Sequence, residues 1–264
     1  MSKARVLIIA GSDSGGGAGI QADIKATEMT GAYAATAITA LTAQNTLGVH
    51  GVMGIDPDFI AQQIRVVLDD IGADVIKTGM LHSKEVIAKV AQTLQAYRDI
   101  PLVVDPVMRA KGGAALIAPD AQQGLIEALL PLATVLTPNI PEAEVLTGLP
   151  IKDKAGMVRA GHSLLTMGPG AVLMKGGHLD TEQMVDILLD EEGRITELPS
   201  GPRLATKHTH GTGCTLASAL ASGLARGLPL VDACKGAVSY VRKAIESAPG
   251  LGQGYGPLNH AHVL

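Results

Sequence analysis

The sequence predicts an α/β fold, a three-layer α/β/α sandwich whose central sheet is mainly parallel. Three observations predict it. Short apolar runs recur at strand length without the alternation of a half-exposed strand, so both of their faces are covered. Longer amphipathic segments separate them, and strand alternating with helix is the pattern of a parallel sheet between helices. Glycine is abundant, 32 of 264 residues, with no G-X-Y period, as in α/β enzymes whose loops bring bare backbone up to a ligand.

In chain order, the first run, 6–10, reads Val-Leu-Ile-Ile-Ala and ends in Gly11-Ser12-Asp13. A glycine-rich turn over 11–19 then leads into a helix over 19–30. The apolar-rich stretch 36–43 precedes Gln44-Asn45. The runs 74–77, 102–105, 134–137 and 171–175 read as buried strands, and the segments 57–71, 83–97, 119–130 and 154–167 as helices. Residues 183–198, with Glu191-Glu192-Gly193 in the middle, read as a β-hairpin added at a sheet edge. Two more helices follow, over 212–226 and 231–247. The first is rich in small residues (Ala217, Ser218, Ala219, Ala221, Ser222), which lets it press close to the sheet. No repeat, low-complexity linker or shift of composition marks a boundary, so residues 1–264 are expected to form a single domain.

Composition excludes several classes of function. Lys and Arg total 21 against 25 Asp and Glu, a formal charge of −4 without blocks of like sign, and Trp is absent with one Phe and four Tyr. Neither the basic surface nor the stacking platforms of a nucleic-acid binder are present. Two cysteines, Cys214 and Cys234, twenty positions apart, form no disulfide framework and no zinc ribbon, which fits a reducing compartment. The apolar stretch 6–10 is too short for a signal h-region, and no segment reaches the length that spans a bilayer. A cytoplasmic protein without a membrane partner is expected.

Polar residues collect after the strands, where ligands bind in open α/β sheets: Gly11-Ser12-Asp13, Lys77-Thr78-Gly79, Asp105 and Asn139. The clearest local signal is His208-Thr209-His210-Gly211-Thr212-Gly213-Cys214-Thr215 leading into a helix. Glycines there let unpaired N–H groups converge on an anion, aided by the helix dipole; the alternative is a turn that merely caps the helix. Neither a dinucleotide fingerprint nor a P-loop occurs. Gln44 offers a donor and an acceptor together, suited to a heteroaromatic edge, although a turn residue has the same appearance. Asp105-Pro106 and Asn139-Ile140-Pro141-Glu142 set hard oxygen ligands beside stiffening prolines, which suits Mg²⁺; Glu142 equally fits a first-turn helix acid. His260 and His262 read as a solvated or packed tail before a metal pair, and Cys234 as a buried small hydrophobe.

Together the motifs AGSDSGGGAGIQAD over 10–23, AITALTAQNT over 37–46, KTGML over 77–81, DPVM over 105–108, TPN and PEAE over 137–144, MKGGH over 174–178 and HGTGCT over 210–215 resemble one family. It is the hydroxymethylpyrimidine/phosphomethylpyrimidine kinases of thiamin biosynthesis, a branch of the ribokinase superfamily. The resemblance runs from the first strand to the tail. It implies a ribokinase-like fold and two ATP-dependent phosphorylations in one site, of 4-amino-5-hydroxymethyl-2-methylpyrimidine and then of its monophosphate. By the same resemblance, Gln44 pairs with the aminopyrimidine, and Gly11, Asp23, Met80 and Val107 line its pocket. Gly211, Thr212 and Gly213 form the anion hole. Asp105 and Glu142 hold Mg²⁺ directly or through water, and Asn139 and Lys175 lie near the nucleotide phosphates. A homodimer is implied, and a K⁺ requirement is left open.

Ribokinase relatives carry an aspartate base where this chain has Cys214, a feature shared with the pyrimidine kinases and some pyridoxal kinases. A cysteine in the first turn of a helix is expected to have a lowered thiol pKa. Arg109 stands where the family pattern has a smaller or apolar residue, and with Lys111 it is either a phosphate holder or part of a solvated loop. Two rivals follow: a pyridoxal kinase of the same subgroup, and a non-catalytic ligand sensor on the same scaffold.

Overall fold

Val6 to Ala10 is buried along its length, and its side chains alternate between two cores. Leu7 and Ile9 enter one, Val6, Ile8 and Ala10 the other, as an interior strand covered on both faces requires. The computed structural model describes residues 3–109, 112–113 and 116–264. Among them the strands are β1 (Arg5–Asp13), β2 (Tyr33–Asn45), β3 (Gly48–Gly54), β4 (Val75–Thr78), β5 (Leu102–Val104), β6 (Val135–Leu136), β7 (Ala171–Met174), β8 (Gln183–Asp190) and β9 (Ile195–Pro202). They form one sheet in the order β3-β2-β1-β4-β5-β6-β7-β8-β9. From β2 to β7 all pairings are parallel; β3 and the β8–β9 hairpin add antiparallel edges.

Helices α1 (Gly19–Met29), α7 (Thr212–Ala225) and α8 (Leu230–Glu246) cover one face. The other is covered by α2 (Pro57–Asp70), α3 (Lys84–Leu94), α4 (Pro119–Gly124), α5 (Ile140–Thr147) and α6 (Lys154–Leu165). The starts of α2, α3 and α6 are capped by Asp56, Ser83 and Asp153, whose side-chain oxygens accept otherwise orphaned N–H groups. The small residues of α7 are nearly all buried, which allows close packing on α1 and α8.

The expected strands, helices and hairpin all form. The antiparallel ribbon of β2 and β3 goes beyond them. Alanine and threonine dominate β2, so its apolar-rich stretch 36–43 lacks the Val, Leu and Ile block of a buried strand, and its second half extends past β1 to pair with β3, exposing Leu41, Val52 and Met53. The eight-residue helix α5 is likewise too short to show a period. Because six strands run parallel, the segments after β1, β2, β4, β5, β6 and β7 emerge at one edge of the sheet, facing the start of α7.

Candidate active site

The turn after β1 is organised by Asp13. Its buried carboxylate accepts the N–H groups of Gly15 (2.8 Å), Gly17 (3.0 Å) and Ala18 (2.8 Å) and lies 2.9 Å from His210 Nε2. Burial opposes its charge, but His210 and these N–H groups outweigh burial and hold the carboxyl below its usual range. Gln21 locks the same turn, accepting from Asp13 N and donating to Ser12 Oγ. His210 Nε2 also lies 3.3 Å from Gln44 Nε2, so this imidazole joins the first turn, the end of β2 and the approach to α7.

Helix α7 starts without a side-chain cap. Gly211 is left-handed, with φ of 82°, and a Cβ there would overlap the carbonyl oxygen of Gly17, so only glycine closes this seam. The first intrahelical bond is Thr215 N to Gly211 O, at 2.9 Å. The N–H groups of Gly213 and Cys214 therefore lack intrahelical acceptors, and the positive end of the dipole opens into the cleft.

Opposite this helix start lies a charge cluster. Lys175 Nζ donates to Asp105 Oδ1 at 3.0 Å and lies 3.9 Å from Glu142 Oε2. A Cβ on Gly213 would come within 3.2 Å of Lys175 Nζ and 3.7 Å of Asp105 Oδ2, so strand edge and helix end converge. Burial disfavours the Lys175 ammonium, but Asp105 and Glu142 outweigh it and raise its pKa. Burial pushes Glu142 up to about 7, against Lys175 and with Asp105 adding to the rise. Glu142 is also a first-turn helix acid in a capping box with Asn139: Asn139 N donates to Glu142 Oε2 (2.8 Å) and Glu142 N to Asn139 Oδ1 (2.9 Å). Asp105 Oδ2 is buried with no hydrogen-bond partner. An orphaned carboxylate oxygen beside an uncapped helix start fits a divalent cation. No cluster of three acidic, His or Cys ligands exists among the described residues, so phosphate and water would complete such a site.

One cleft of about 1140 Å³ is lined by Gly11, Gln44, Met80, Asp105, Val107, Asn139, Glu142, Lys175, Gly211, Thr212, Gly213 and Cys214. Asp23 is the exception and a correction to the sequence reading. It is fully buried on α1, turned under the cleft toward Lys77, whose Nζ lies 2.8 and 2.9 Å from its two oxygens, because a lysine buried on β4 needs a counter-charge. The expected lowering of the Cys214 thiol is a second correction. Burial first, then Asp23, push the half-buried thiol up to about 12 against the opposing charge of Lys77 and the Gly19 N–H.

The sequence reading placed Lys77 among the polar residues after the strands and His210 in the segment before α7 without giving either a role, and it passed over Asp186. Asp186, on the hairpin strand β8, accepts Gly176 N at 2.7 Å beside Lys175, and burial raises it to about 6. Arg109 lines the cleft mouth and donates to Gly113 O at 3.4 Å, whereas Lys111 lies outside the described residues. His260 packs as a tail residue, 2.9 Å from Thr215 Oγ1, and Cys234 is buried in α8. Among the described residues no helix is long and apolar enough to cross a membrane.

Comparison with known proteins adds the following. The family described as phosphomethylpyrimidine kinase matches residues 13–259. The chain is 47% identical over 259 residues to a hydroxymethylpyrimidine/phosphomethylpyrimidine kinase of Rhizobium meliloti, covering 97% of this chain and 96% of that one. It is 52% identical over 255 residues to the thiamine biosynthesis bifunctional protein ThiED of Geobacter sulfurreducens, covering 97% of this chain but only 52% of that longer protein. In structure it resembles an ADP complex of Bacillus subtilis pyridoxal kinase, with a TM-score of 0.91, 37% identity and 99% of each chain covered.

Proposed function

The chain belongs to the phosphomethylpyrimidine kinase family, and from that membership we propose that its cleft phosphorylates 4-amino-5-hydroxymethyl-2-methylpyrimidine with ATP, then converts the monophosphate to the diphosphate, in thiamin biosynthesis. The observation that carries the reading is convergence. The uncapped start of α7, the Asp105–Lys175 pair and Gln44 face one cleft from opposite sides.

Gln44 takes the aminopyrimidine edge, with Gly11, Met80 and Val107 around the ring. The hydroxymethyl arm lies beside Cys214. Charge developing on the transferred phosphoryl group meets the anion hole of Gly211, Thr212 and Gly213, where the unpaired N–H groups are those of Gly213 and Cys214, and the Lys175 ammonium; these are preorganised and need not reorient. Asn139 Oδ1 is committed to its helix cap, so its Nδ2 is the atom left for a phosphate. Asp105 and Glu142 would hold Mg²⁺, which supplies neutralisation of phosphate charge when bound with ATP. Cys214 accepts the hydroxyl proton as the thiolate, so its thiol first gives its own proton to solvent, and burial, which raises the thiol, opposes that step. Arg109, which lines the cleft, is available to a phosphorylated acceptor. We read residues 1–264 as one domain, cytoplasmic and homodimeric, with the exposed β2–β3 ribbon available for self-association; K⁺ dependence is left to measurement.

Pyridoxal phosphorylation is the second reading, favoured by the likeness to the Bacillus subtilis enzyme. One experiment tests both: incubate the protein with Mg·ATP and either alcohol, and follow products by mass. The expected result is mono- and then diphosphate from the pyrimidine. Phosphate transfer to pyridoxal alone would replace the first reading with the second, and no transfer to either would leave a ligand sensor.

A further inference from the structure

Beneath the cleft lies an ion pair that phosphoryl transfer leaves unused. Lys77 on β4 is fully buried beside its register partner Ile8, on the sheet face covered by α1 and α7. Its Nζ bonds both oxygens of Asp23, and Asp23 also accepts Ser218 Oγ at 2.7 Å. Burying such a pair is a weak source of stability, because desolvation of both charges opposes their attraction. Its position is the informative feature. Gly19 and Asp23 stand one turn apart on α1, and Cys214 and Ser218 one turn apart on α7. Ser218 meets Asp23, and the Gly19 N–H turns to the Cys214 sulfur. Gly79, on the cleft floor, leaves nothing between itself and the ammonium: a Cβ there would lie 3.0 Å from Lys77 Nζ. The charged groups facing the sulfur are Asp23 from α1, Lys77 from β4, Asp105 after β5 and Lys175 after β7.

We propose that the Lys77–Asp23 pair is a positioning element for Cys214, setting from beneath the cleft whether the sulfur keeps its proton. The proposal rests on the reading that Cys214 lies beside the substrate hydroxyl. While both partners are ionised and in contact, their fields largely cancel at the sulfur and desolvation keeps the thiol neutral. Removing one partner unmasks the other. Asp23→Asn leaves an ammonium that favours the thiolate; Lys77→Met leaves a carboxylate that disfavours it.

The test is the rate of Cys214 alkylation by iodoacetamide at pH 8 in the full chain, read by peptide mass, with the buried Cys234 peptide reporting any unfolding. Asp23→Asn should react about tenfold faster or more, the effect of one pKa unit from a neighbouring charge. Lys77→Met should react more slowly than wild type, and Lys77→Arg at close to the wild-type rate. The double variant Asp23→Asn/Lys77→Met, which keeps no lone buried charge, should fall between the single variants and decides the matter if Lys77→Met does not fold. Asp23→Asn should also retain a larger share of its pH 9 kcat at pH 6 than wild type, with the KM for ATP unchanged. Single variants that shift the rate in the same direction, or not at all, overturn the proposal. Full kcat in Cys214→Ala would instead overturn the reading of Cys214, with the alkylation result standing apart from it.

Discussion

His260→Gln should flatten the acid limb of the stability curve. His260 is 5% exposed; its Nε2 lies 2.9 Å from Thr215 Oγ1, and its carbonyl accepts the Tyr240 hydroxyl at 2.7 Å. Burial first, then the charges of Lys25 and His262, depress its pKa from 6.5 to about 4. The unfolded chain therefore takes up a proton before the folded one does. The stability from this group is complete above pH 6.5, is lost as pH falls from 6.5 to about 4, and levels off below that. A depression of this size corresponds to about 3 kcal/mol over the window. Glutamine keeps an amide that reaches Thr215 and has no proton to take up. The assay is urea unfolding followed by circular dichroism at intervals from pH 7.5 to 4. Carboxylates titrate over the same range in both proteins, so the quantity read is the difference between wild type and variant. Wild type should lose up to about 3 kcal/mol relative to the variant. Parallel curves would refute the reasoning, because His260 would then titrate alike in both states.

Gln44→Leu should raise the KM for the pyrimidine strongly and leave that for ATP nearly unchanged, since a site built on paired hydrogen bonds loses its discrimination when they go; equal changes in both would mean that Gln44 does not read the ring. Asp105→Asn and Glu142→Gln should lower activity and move the Mg²⁺ titration to higher concentration, and an unmoved titration for either variant would return that residue to a purely structural part. Cys214→Ala should lower kcat by roughly 10² to 10⁴ with little change in either KM, as loss of a positioned proton acceptor does; turnover at the wild-type rate from pH 6 to 9 would leave the helix start and the cations as the catalytic apparatus.

Five parallel strands were legible because their apolar blocks are buried on both faces, and the β8–β9 hairpin because Glu191-Glu192-Gly193 interrupts two runs. The β2–β3 ribbon was not, because its alanines and threonines take their place from backbone pairing rather than from an apolar period. In the site, Gln44, Asp105 and the start of α7 could be read from their positions after strands or before a helix. Asp23 and Cys214 could not be read correctly from local signals. Asp23 answers a lysine 54 positions away, and the desolvation acting on the thiol is a property of everything packed around it. Burial and long-range pairing are set by the assembled fold and leave no local spacing in the chain.

The strand order carries a consequence for synthesis. β1 emerges first and becomes an interior strand; β2 and β3 extend one side of it, and β4 to β9 add in turn to the other, so each strand pairs with an edge already made. The helices do not keep pace. Of the three that cover Val6, Ile8, Val75, Val103 and Val135, only α1 precedes residue 212. A nascent or truncated chain that stops before α7 therefore carries a nearly complete sheet with one apolar face largely bare, a surface that invites aggregation or chaperone capture. It also lacks Cys214 and the start of α7, so the last fifth of the chain closes the core and completes one wall of the cleft together.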